Sequence, residues 1–194
     1  MSDNEILLDW LHRAADGDGD AFSRIVTELE KPVYRLAFAI VGNREDAEDV
    51  SQETFLKLFR TLGTFRGDAS VSTYVLTIAK NTALDELRRR KNRPADSMTL
   101  ETEDGEDRQA EIADPDPYSD PAKSYAQKER IAGVRQAIAD LAGDHRVILT
   151  LRDMEGRSYE EIADILGLTD GTVKSRLFRA RQALKALLTE RNIR

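Results

Sequence analysis

The sequence predicts an all-α protein made of two small helical domains joined by a flexible acidic linker. Apolar residues recur at spacings of three and four, and no segment shows sustained alternation with a period of two. A length of 194 residues fits one large domain or two small ones. The charge pattern favours two, because residues 21–93 and 127–194 each carry ten acidic and thirteen basic residues, a net +3.

The net charge of the whole chain gives a misleading indication of its partners. Its 36 acidic and 29 basic residues give −7, which by itself argues against a nucleic-acid partner. The excess of acid lies in residues 1–20, with six acidic residues and one basic, and in residues 94–126, with ten and two. Both predicted domains are therefore mildly basic, and nucleic acid stays open as a partner for each.

The composition excludes several kinds of site. The chain has no cysteine, which rules out a disulfide framework, a Cys-based zinc site and a thiol nucleophile. Its N-terminus lacks the basic and apolar regions of a secretory signal, and no apolar run approaches the ~20 residues that a membrane span requires. We therefore expect a cytoplasmic protein without direct membrane insertion.

Residues 94–126 have the composition of a linker. They hold four of the five prolines and the acidic run ETEDGED, with few large apolar side chains. Such a segment cannot bury enough apolar surface to offset the entropy that it would lose on ordering. Fully extended it would span about 110 Å, so the two domains can lie far apart on a partner.

Glycines divide each half of the chain into helices. In the N-terminal half, the expected helices lie near residues 4–14, 21–41, 44–62 and 71–92. In the C-terminal half, they lie near residues 124–141, 145–154, 158–166 and 170–189. The breaks fall at Gly42-Asn43, Gly63 to Gly67, Gly143, Gly156 and Gly167, since glycine readily adopts the conformations that end a helix.

The last two helices form a helix-turn-helix pattern within a four-helix domain. Ser158 and Glu161 have the spacing of a capping box, Gly167 supplies a left-handed stop, and Thr169 caps the next helix after a short turn. A short helix, a turn with glycine and a longer helix are typical of this DNA-binding motif.

The final helix presents two different sides. Its inward stripe consists of Val173, Leu177, Ala180, Leu184 and Leu187. Its outer side carries Gly171, Ser175, Phe178, Arg179 and Gln182, flanked by Lys174 and Lys185. Cations, a hydroxyl and an exposed ring suit a major groove, where they can contact phosphates, base edges and a thymine methyl. The alternative is a solvated amphipathic helix with Phe178 packed on a neighbour.

The helix near 44–62 carries an acidic face. We expect Phe55, Leu58, Phe59 and Leu62 to point inward. Asp46, Asp49 and Glu53 share the opposite side with Val50. A metal site is disfavoured because the sequence supplies no histidine or second ligand helix nearby. The ordinary interpretation is a solvated face with a Glu53–Lys57 pair, and the functional one is docking against a basic partner helix.

The helix near 71–92 carries a mixed stripe opposite its apolar one. Val75, Ile78, Ala79, Ala83 and Leu87 form the buried side. The other side aligns Tyr74, Thr77, Asn81, Asp85 and Arg88. Stacking of an unpaired base and hydrogen bonds to its edges use such side chains. The run RRRKNR that follows suits phosphates, or alternatively the negative end of the helix dipole.

Both domains resemble the extracytoplasmic-function sigma factors of the bacterial sigma-70 family. Region two of that family is matched by DAFSRIVTELEKPVYRLAFAIVGNREDAEDVSQETFLKLF and then by FRGDASVSTYVLTIAKNTALDELRRR. Region four is matched by GRSYEEIADILGLTDGTVKSRLFRARQALK. The resemblance covers residues 21–93 and 127–190 in the family's order. It implies an alternative sigma factor, which binds core RNA polymerase and directs promoter-specific transcription initiation.

The resemblance also implies three sets of binding residues. Those expected to dock on the clamp helices of the largest polymerase subunit are Asp46, Asp49, Gln52, Glu53 and Leu56. Those expected near the opened minus-ten DNA are Phe65, Ser70, Ser72, Tyr74, Lys80, Asn81 and Arg88. Those expected to read the minus-thirty-five duplex are Lys174, Ser175, Arg176, Phe178 and Arg179. The polymerase flap and an anti-sigma factor are further implied partners.

An enzyme is not expected. The two histidines, His12 and His145, are far apart in sequence, and no phosphate loop or nucleophile motif is present. We predict no catalytic residue, metal or cofactor. The alternative function is a helix-turn-helix regulator that binds a palindromic duplex as a dimer, with the first domain sensing a signal. A sigma factor is instead expected to be a monomer when free.

Overall fold

The computed structural model describes residues 3–92 and 125–191, and every regular element in these ranges is helical. The all-α prediction is confirmed. The α-helices of the described ranges are α1 (Asp3–Ala15), α2 (Gly19–Val41), α3 (Arg44–Thr61), α4 (Val71–Lys91), α5 (Tyr125–Ala139), α6 (Gly143–Leu149), α7 (Tyr159–Leu166) and α8 (Asp170–Glu190). The predicted flexible linker, up to residue 124, lies outside the described residues.

One predicted helix is divided in the structure. The helix expected near 145–154 consists of α6 followed by a π-helical turn over Thr150–Met154. In that turn the Glu155 amide donates to the Thr150 carbonyl at 3.0 Å, five residues back. Such turns hold one more residue than an α-helical turn. They leave little trace in apolar spacing, so periodicity did not reveal this one.

The N-terminal domain is built on α2. Asp18 caps this helix by accepting hydrogen bonds from the amides of Asp20 and Ala21 at 3.0 and 3.1 Å. The helix ends at Gly42, whose φ of +83° is unfavourable for residues with a side chain. Because Asn43 then caps α3, the predicted break at Gly42-Asn43 is confirmed. α3 and α4 pack on α2 and on each other.

The buried side of α3 differs from the prediction. Phe59 was expected to point inward and Val50 outward, but Phe59 is 58% exposed and Val50 is buried. α3 packs against both α2 and α4, so its buried stripe is turned toward the space between them. That stripe consists of Ala47, Val50, Thr54 and Leu58. Phe59 instead meets the ring of Phe22 edge-on, with the centroids 5.2 Å apart.

The acidic N-terminal segment forms part of the first domain. α1 packs on α2 and α4 through its buried residues Leu7, Leu11 and Ala14. Trp10 packs against the same core, and the Arg24 guanidinium lies 5.8 Å from its ring centre. The side-chain oxygen of Asn4 accepts a hydrogen bond from the Val71 amide at 3.0 Å. α1 therefore helps to fix the start of α4.

The C-terminal domain contains the predicted helix-turn-helix. The Ser158 hydroxyl accepts from the Glu161 amide at 3.1 Å, and the Glu161 carboxylate accepts from the Ser158 amide at 2.8 Å, which completes the capping box. Gly167 ends α7 in the left-handed region, with φ +68°. Thr169 then caps α8. These local predictions are confirmed, and they set α8 at a fixed angle to α7.

The two domains contact one another in this structure. α2 packs against α6, and α4 packs against α7. Arg35 of α2 forms an ion pair at 3.1 Å with Glu155, which follows the π-helical turn. The Arg146 Nε donates to the Ala39 carbonyl at 2.6 Å. One cluster of buried apolar side chains runs through both domains.

Candidate nucleic-acid interface

The outer face of α8 is open to solvent. Phe178 is 66% exposed, although phenylalanine is a residue that folding normally buries. Lys174, Ser175 and Arg179 are exposed beside it. The opposite side of the helix is anchored by the buried residues Val173, Leu177 and Ala180. This face can therefore offer two cations, a hydroxyl and a ring to a duplex without any rearrangement of the core.

Arg176 lies to one side of that face. It is half-buried, and its guanidinium is 3.3 Å from the Asp144 carboxylate of α6. Of the five residues assigned to the minus-thirty-five duplex, Arg176 is the one for which the described residues show an ion pair. In this arrangement it braces α8 against α6.

The sequence analysis did not predict a cluster of two basic side chains around Tyr159. The side chains of Arg152 and Lys174 both lie over the ring of Tyr159, at 5.1 and 5.9 Å from its centre. Such cation–π contacts hold long basic side chains in place. The signal in the sequence was an aromatic residue directly after the capping Ser158, but the partners come from two other elements and only the fold brings them together.

The loop before α4 and the first turns of that helix bring aromatic side chains together. The rings of Phe65 and Tyr74 are 5.1 Å apart, and the Tyr74 hydroxyl is 3.3 Å from the hydroxyl of Thr61. Ser70 caps α4 by accepting from the Thr73 amide at 3.1 Å. Phe65, Ser70 and Tyr74, which the sequence assigned to the opened minus-ten DNA, thus lie close together and are half-buried.

Ser72 is covered by the other domain. It is 7% exposed, and its hydroxyl accepts a hydrogen bond from the Arg157 guanidinium. The next residue, Thr73, donates to the Glu161 carboxylate at 3.3 Å. Burial raises the pKa of Glu161, but the Ser158 amide and the Arg157 charge outweigh it and bring the pKa below its ordinary value. The sequence gave no sign that the start of α7 would lie here.

The rest of α4 is open. Asn81 and Arg88 are exposed and Lys80 is half-buried. Arg88 pairs with Asp85 at 2.9 Å on the helix surface. Surface pairs of this kind contribute little to stability, so Arg88 can exchange that carboxylate for a phosphate at small cost.

The acidic face of α3 borders a groove against α4. Asp49, Gln52 and Leu56 are exposed, and Glu53 is half-buried. Thr82, Asp85, Glu86 and Arg89 of α4 line the other side. These α4 residues were not predicted as part of the face, because their proximity to α3 depends on helix packing. The Glu53–Lys57 pair was expected, but Glu53 lies 4.0 Å from Arg60, and Lys57 donates to Thr82.

Asp46 stands apart from the other acidic residues of α3. Its carboxylate accepts a hydrogen bond from the Asn43 amide group at 2.8 Å and pairs with Arg90 at 2.5 Å. It therefore ties the start of α3 to the end of α4. Within the described residues, no three histidine or acidic side chains are grouped so that they could hold a metal ion.

Two family models match the chain. The model of sigma-70 region 2 matches residues 25–93, and that of sigma-70 region 4 matches residues 132–184. Together they span well over half of the sequence. The chain belongs to the sigma-70 family.

Relatives place this sigma factor in the extracytoplasmic-function group. It is 40% identical over 178 residues to the RNA polymerase sigma-H factor of Pseudomonas aeruginosa, covering 92% of this chain and 91% of the relative. It is 38% identical to the ECF RNA polymerase sigma-E factor of Escherichia coli, covering 90% of both chains. It is an alternative sigma factor that directs transcription, and sigma factors are not a class of enzymes.

Two solved structures share the fold of this sigma factor. One is the sigma factor RpoE of Bartonella quintana in complex with the anti-sigma factor NepR, with a TM-score of 0.64 and 24% identity, covering 87% of this chain and 96% of that one. The other is CnrH in complex with the cytosolic domain of CnrY, also at 0.64 and 24%, covering 93% and 96%. In the described part of the sigma factor, no helix combines the length and apolar character needed to cross a membrane.

Proposed function

We propose that this sigma factor docks on core RNA polymerase through the groove between α3 and α4. Asp49, Gln52, Glu53 and Leu56 form the α3 side of the groove, and Leu56 exposes half of its surface there. An exposed leucine next to carboxylates suits a partner helix with basic and apolar residues. By resemblance to the family, that partner is the pair of clamp helices of the largest subunit. Asp46 supports the face by fixing its end.

The outer face of α8 carries the recognition of the minus-thirty-five duplex. The exposed Phe178 is the observation that supports this assignment best, since it has no role in the core and lies between Lys174, Ser175 and Arg179. Arg179 suits bidentate contact with a guanine, and the ring suits a thymine methyl. Arg176 can join them by releasing Asp144. The polymerase flap is the expected partner of the same domain.

The start of α4 receives the opened minus-ten strand. Phe65 and Tyr74 offer aromatic faces for unpaired bases, Ser70 and Ser72 offer hydroxyls, and Asn81 offers an amide for base edges. Lys80 and Arg88 contribute charge for phosphates. An anti-sigma factor regulates this activity, as in the complexes of the two similar folds. The sigma factor acts in the cytoplasm as a monomer until it binds polymerase.

Run-off transcription with purified core polymerase tests this function. A library of bacterial DNA fragments supplies promoters, and the transcripts are sequenced from their 5′ ends. We expect specific starts that depend on the added sigma factor, with two sequence elements shared upstream. A chain that neither co-purifies with core nor directs specific starts would contradict the proposal. Binding to a palindromic duplex as a dimer without polymerase would support the conventional regulator instead.

A further inference from the structure

We propose that α1 positions the loop that receives the opened minus-ten strand, with Asn4 as the positioning residue. The loop, residues 65–70, connects a 3₁₀ turn over Leu62–Thr64 to α4. The inference rests on the proposed function for the role of this loop, but the contacts of α1 can be tested without polymerase or DNA. It assigns a part in promoter opening to α1, which lies outside the residues that match the family models.

α1 supports the first end of the loop. It packs against the 3₁₀ turn as well as against α2 and α4. Leu62, the first residue of that turn, is buried in the same cluster as Leu7 and Leu11 of α1. Phe65 packs against this cluster. The apolar side of α1 therefore holds the backbone directly before Phe65.

Asn4 holds the other end of the loop. Its side-chain oxygen accepts a hydrogen bond at 3.0 Å from the amide of Val71, the first residue of α4. The first amides of a helix have no acceptor within the helix, and Val71 is fully buried. The Ser70 hydroxyl serves the Thr73 amide instead. Loss of the Asn4 acceptor would therefore leave a buried donor without its partner, at the point where the loop becomes α4.

The two aromatic side chains proposed to receive bases depend on both ends of the loop. Phe65 directly follows the 3₁₀ turn, Tyr74 lies in the first turns of α4, and their rings are 5.1 Å apart. Between them, residues 66–68 are exposed, and a side chain added at Gly67 would meet nothing within 4 Å. The middle of the loop is thus held by little packing. The spacing of the two rings is therefore set at the ends of the loop, which α1 contacts.

The Asn4 contact lies within one domain and is neutral. Asn4 and Val71 both belong to the N-terminal domain, so the contact does not require α7 and stays available when the two domains separate. The acceptor is an amide oxygen, which adds no charge that would repel phosphate. A carboxylate at the same position would also accept from Val71, at the positive end of the α4 dipole. Asn4→Asp is therefore the conservative variant.

Hydrogen exchange followed by mass spectrometry tests the contact in the free full-length chain. Asn4→Leu removes the acceptor and keeps a side chain of similar size. We expect it to speed exchange over residues 65–74 by about fivefold or more, because a buried amide loses its acceptor. Asn4→Asp should stay within about twofold of the wild type. Asp9→Leu is the matched control, because Asp9 is exposed on α1 and pairs with Arg13 of the same helix. Circular dichroism verifies that each variant is folded.

Promoter opening tests whether the contact matters for DNA. The probe is a promoter identified by run-off transcription, with 2-aminopurine in its minus-ten element, mixed with core polymerase and each variant. Fluorescence of this base rises as it unstacks, so its rate of increase reports opening. We expect Asn4→Leu to open the DNA about fivefold more slowly than the wild type, because misplaced contact groups slow a step that needs exact positioning. Asn4→Asp and Asp9→Leu should stay within about twofold. Association with core and with the minus-thirty-five duplex should be unchanged in all three variants, which general destabilisation would not leave unchanged.

Three results would overturn the inference. The first is unchanged exchange over residues 65–74 in Asn4→Leu. The second is faster exchange without slower opening. The third is slower opening that Asn4→Asp does not restore, or that comes with a loss of core association. If the wild type opens no promoter while Asn4→Leu speeds exchange, the proposed function fails and the support of the loop by α1 stands, so the two failures can be told apart.

Discussion

The outer face of α8 and the first turn of α4 are the two surfaces that we propose face DNA, and they differ in their exposure in this structure. The first is open, with Phe178 in solvent, and the second is covered, with Ser72 buried under Arg157. Helical periodicity assigned the outer side of α8 and the stripe through Tyr74 on α4, whereas Ser72 was implied by the resemblance to the family. The difference shows that periodicity identifies which side of a helix avoids its own domain, but not whether a second domain lies on the other side.

The largest effect is expected from Leu177 of α8, and its neighbour Phe178 should have little effect on stability. Leu177 is 2% exposed and Phe178 is 66% exposed. Leu177→Ala should lower the free energy of unfolding by about 2 to 5 kcal/mol, because it leaves a cavity in the core. Phe178→Ala should change it by about 0.5 kcal/mol or less. Urea denaturation followed by circular dichroism measures both.

The affinity of α8 for DNA should instead depend on its exposed residues. Phe178→Ala with Arg179→Ala should weaken binding of the minus-thirty-five duplex by about tenfold or more, because each base contact is worth about 1 to 3 kcal/mol. Binding to core polymerase should be unchanged, and electrophoretic mobility with each partner measures this. If the double variant loses core binding and keeps the duplex, the polymerase contact has been assigned to the wrong domain.

The groove between α3 and α4 is a third exposed surface, and charge reversal there tests whether it binds core polymerase. Asp49→Lys with Glu53→Lys should reduce association with core polymerase by about tenfold, because like charges would then face a basic partner. Glu45→Lys with Glu48→Lys is the matched control. It reverses two charges on the same helix, outside the groove residues. Equal association of both double variants in a pull-down would argue against the docking assignment.

Local signals in the sequence predicted most of the fold. The capping box of Ser158 and Glu161, the left-handed Gly167 and the break at Gly42-Asn43 depend on residues only a few positions apart, and all are present. The error at Phe59 had a different origin. α3 is packed on two sides, so its buried stripe is set by the positions of α2 and α4, which short-range spacing does not encode.

The candidate sites show the same difference between features set by one helix and contacts made by the tertiary fold. The exposed side chains of α8 follow from the period of one helix. By contrast, the basic pair over Tyr159, the α4 side of the groove and the engagement of Asp46 with Arg90 each join residues from different elements. Such contacts need the tertiary fold. Ser72 is the extreme case, because its partner lies 85 positions away in the other domain.

Removing the cap at the start of α7, which packs on α4, should lower the stability of the chain by less than Leu177→Ala does. Ser158→Ala removes one half of the capping box, which costs about 1 kcal/mol of stability. Thermal melting of the full chain measures this loss. Ser175→Ala on α8 is a suitable control, because that hydroxyl accepts no capping bond and donates within its own helix. If the two variants melt at the same temperature, the capping box does not stabilise the domain.

The smallest effect is expected from the titration of Glu161, which lies at the covered surface. The pKa of Glu161 lies below its ordinary value in the folded chain, because the Ser158 amide and Arg157 favour its ionised form more than burial opposes it. The ionised carboxylate therefore stabilises the fold fully above the ordinary glutamate pKa. That contribution is lost as the pH falls through the lower folded value.

Glu161→Gln should lose this contribution at every pH. We expect the difference in melting temperature between wild type and Glu161→Gln to be constant near neutral pH and to shrink below about pH 4. A difference that persists unchanged in acid would mean that the charge of Glu161 does not contribute to the stability of the fold.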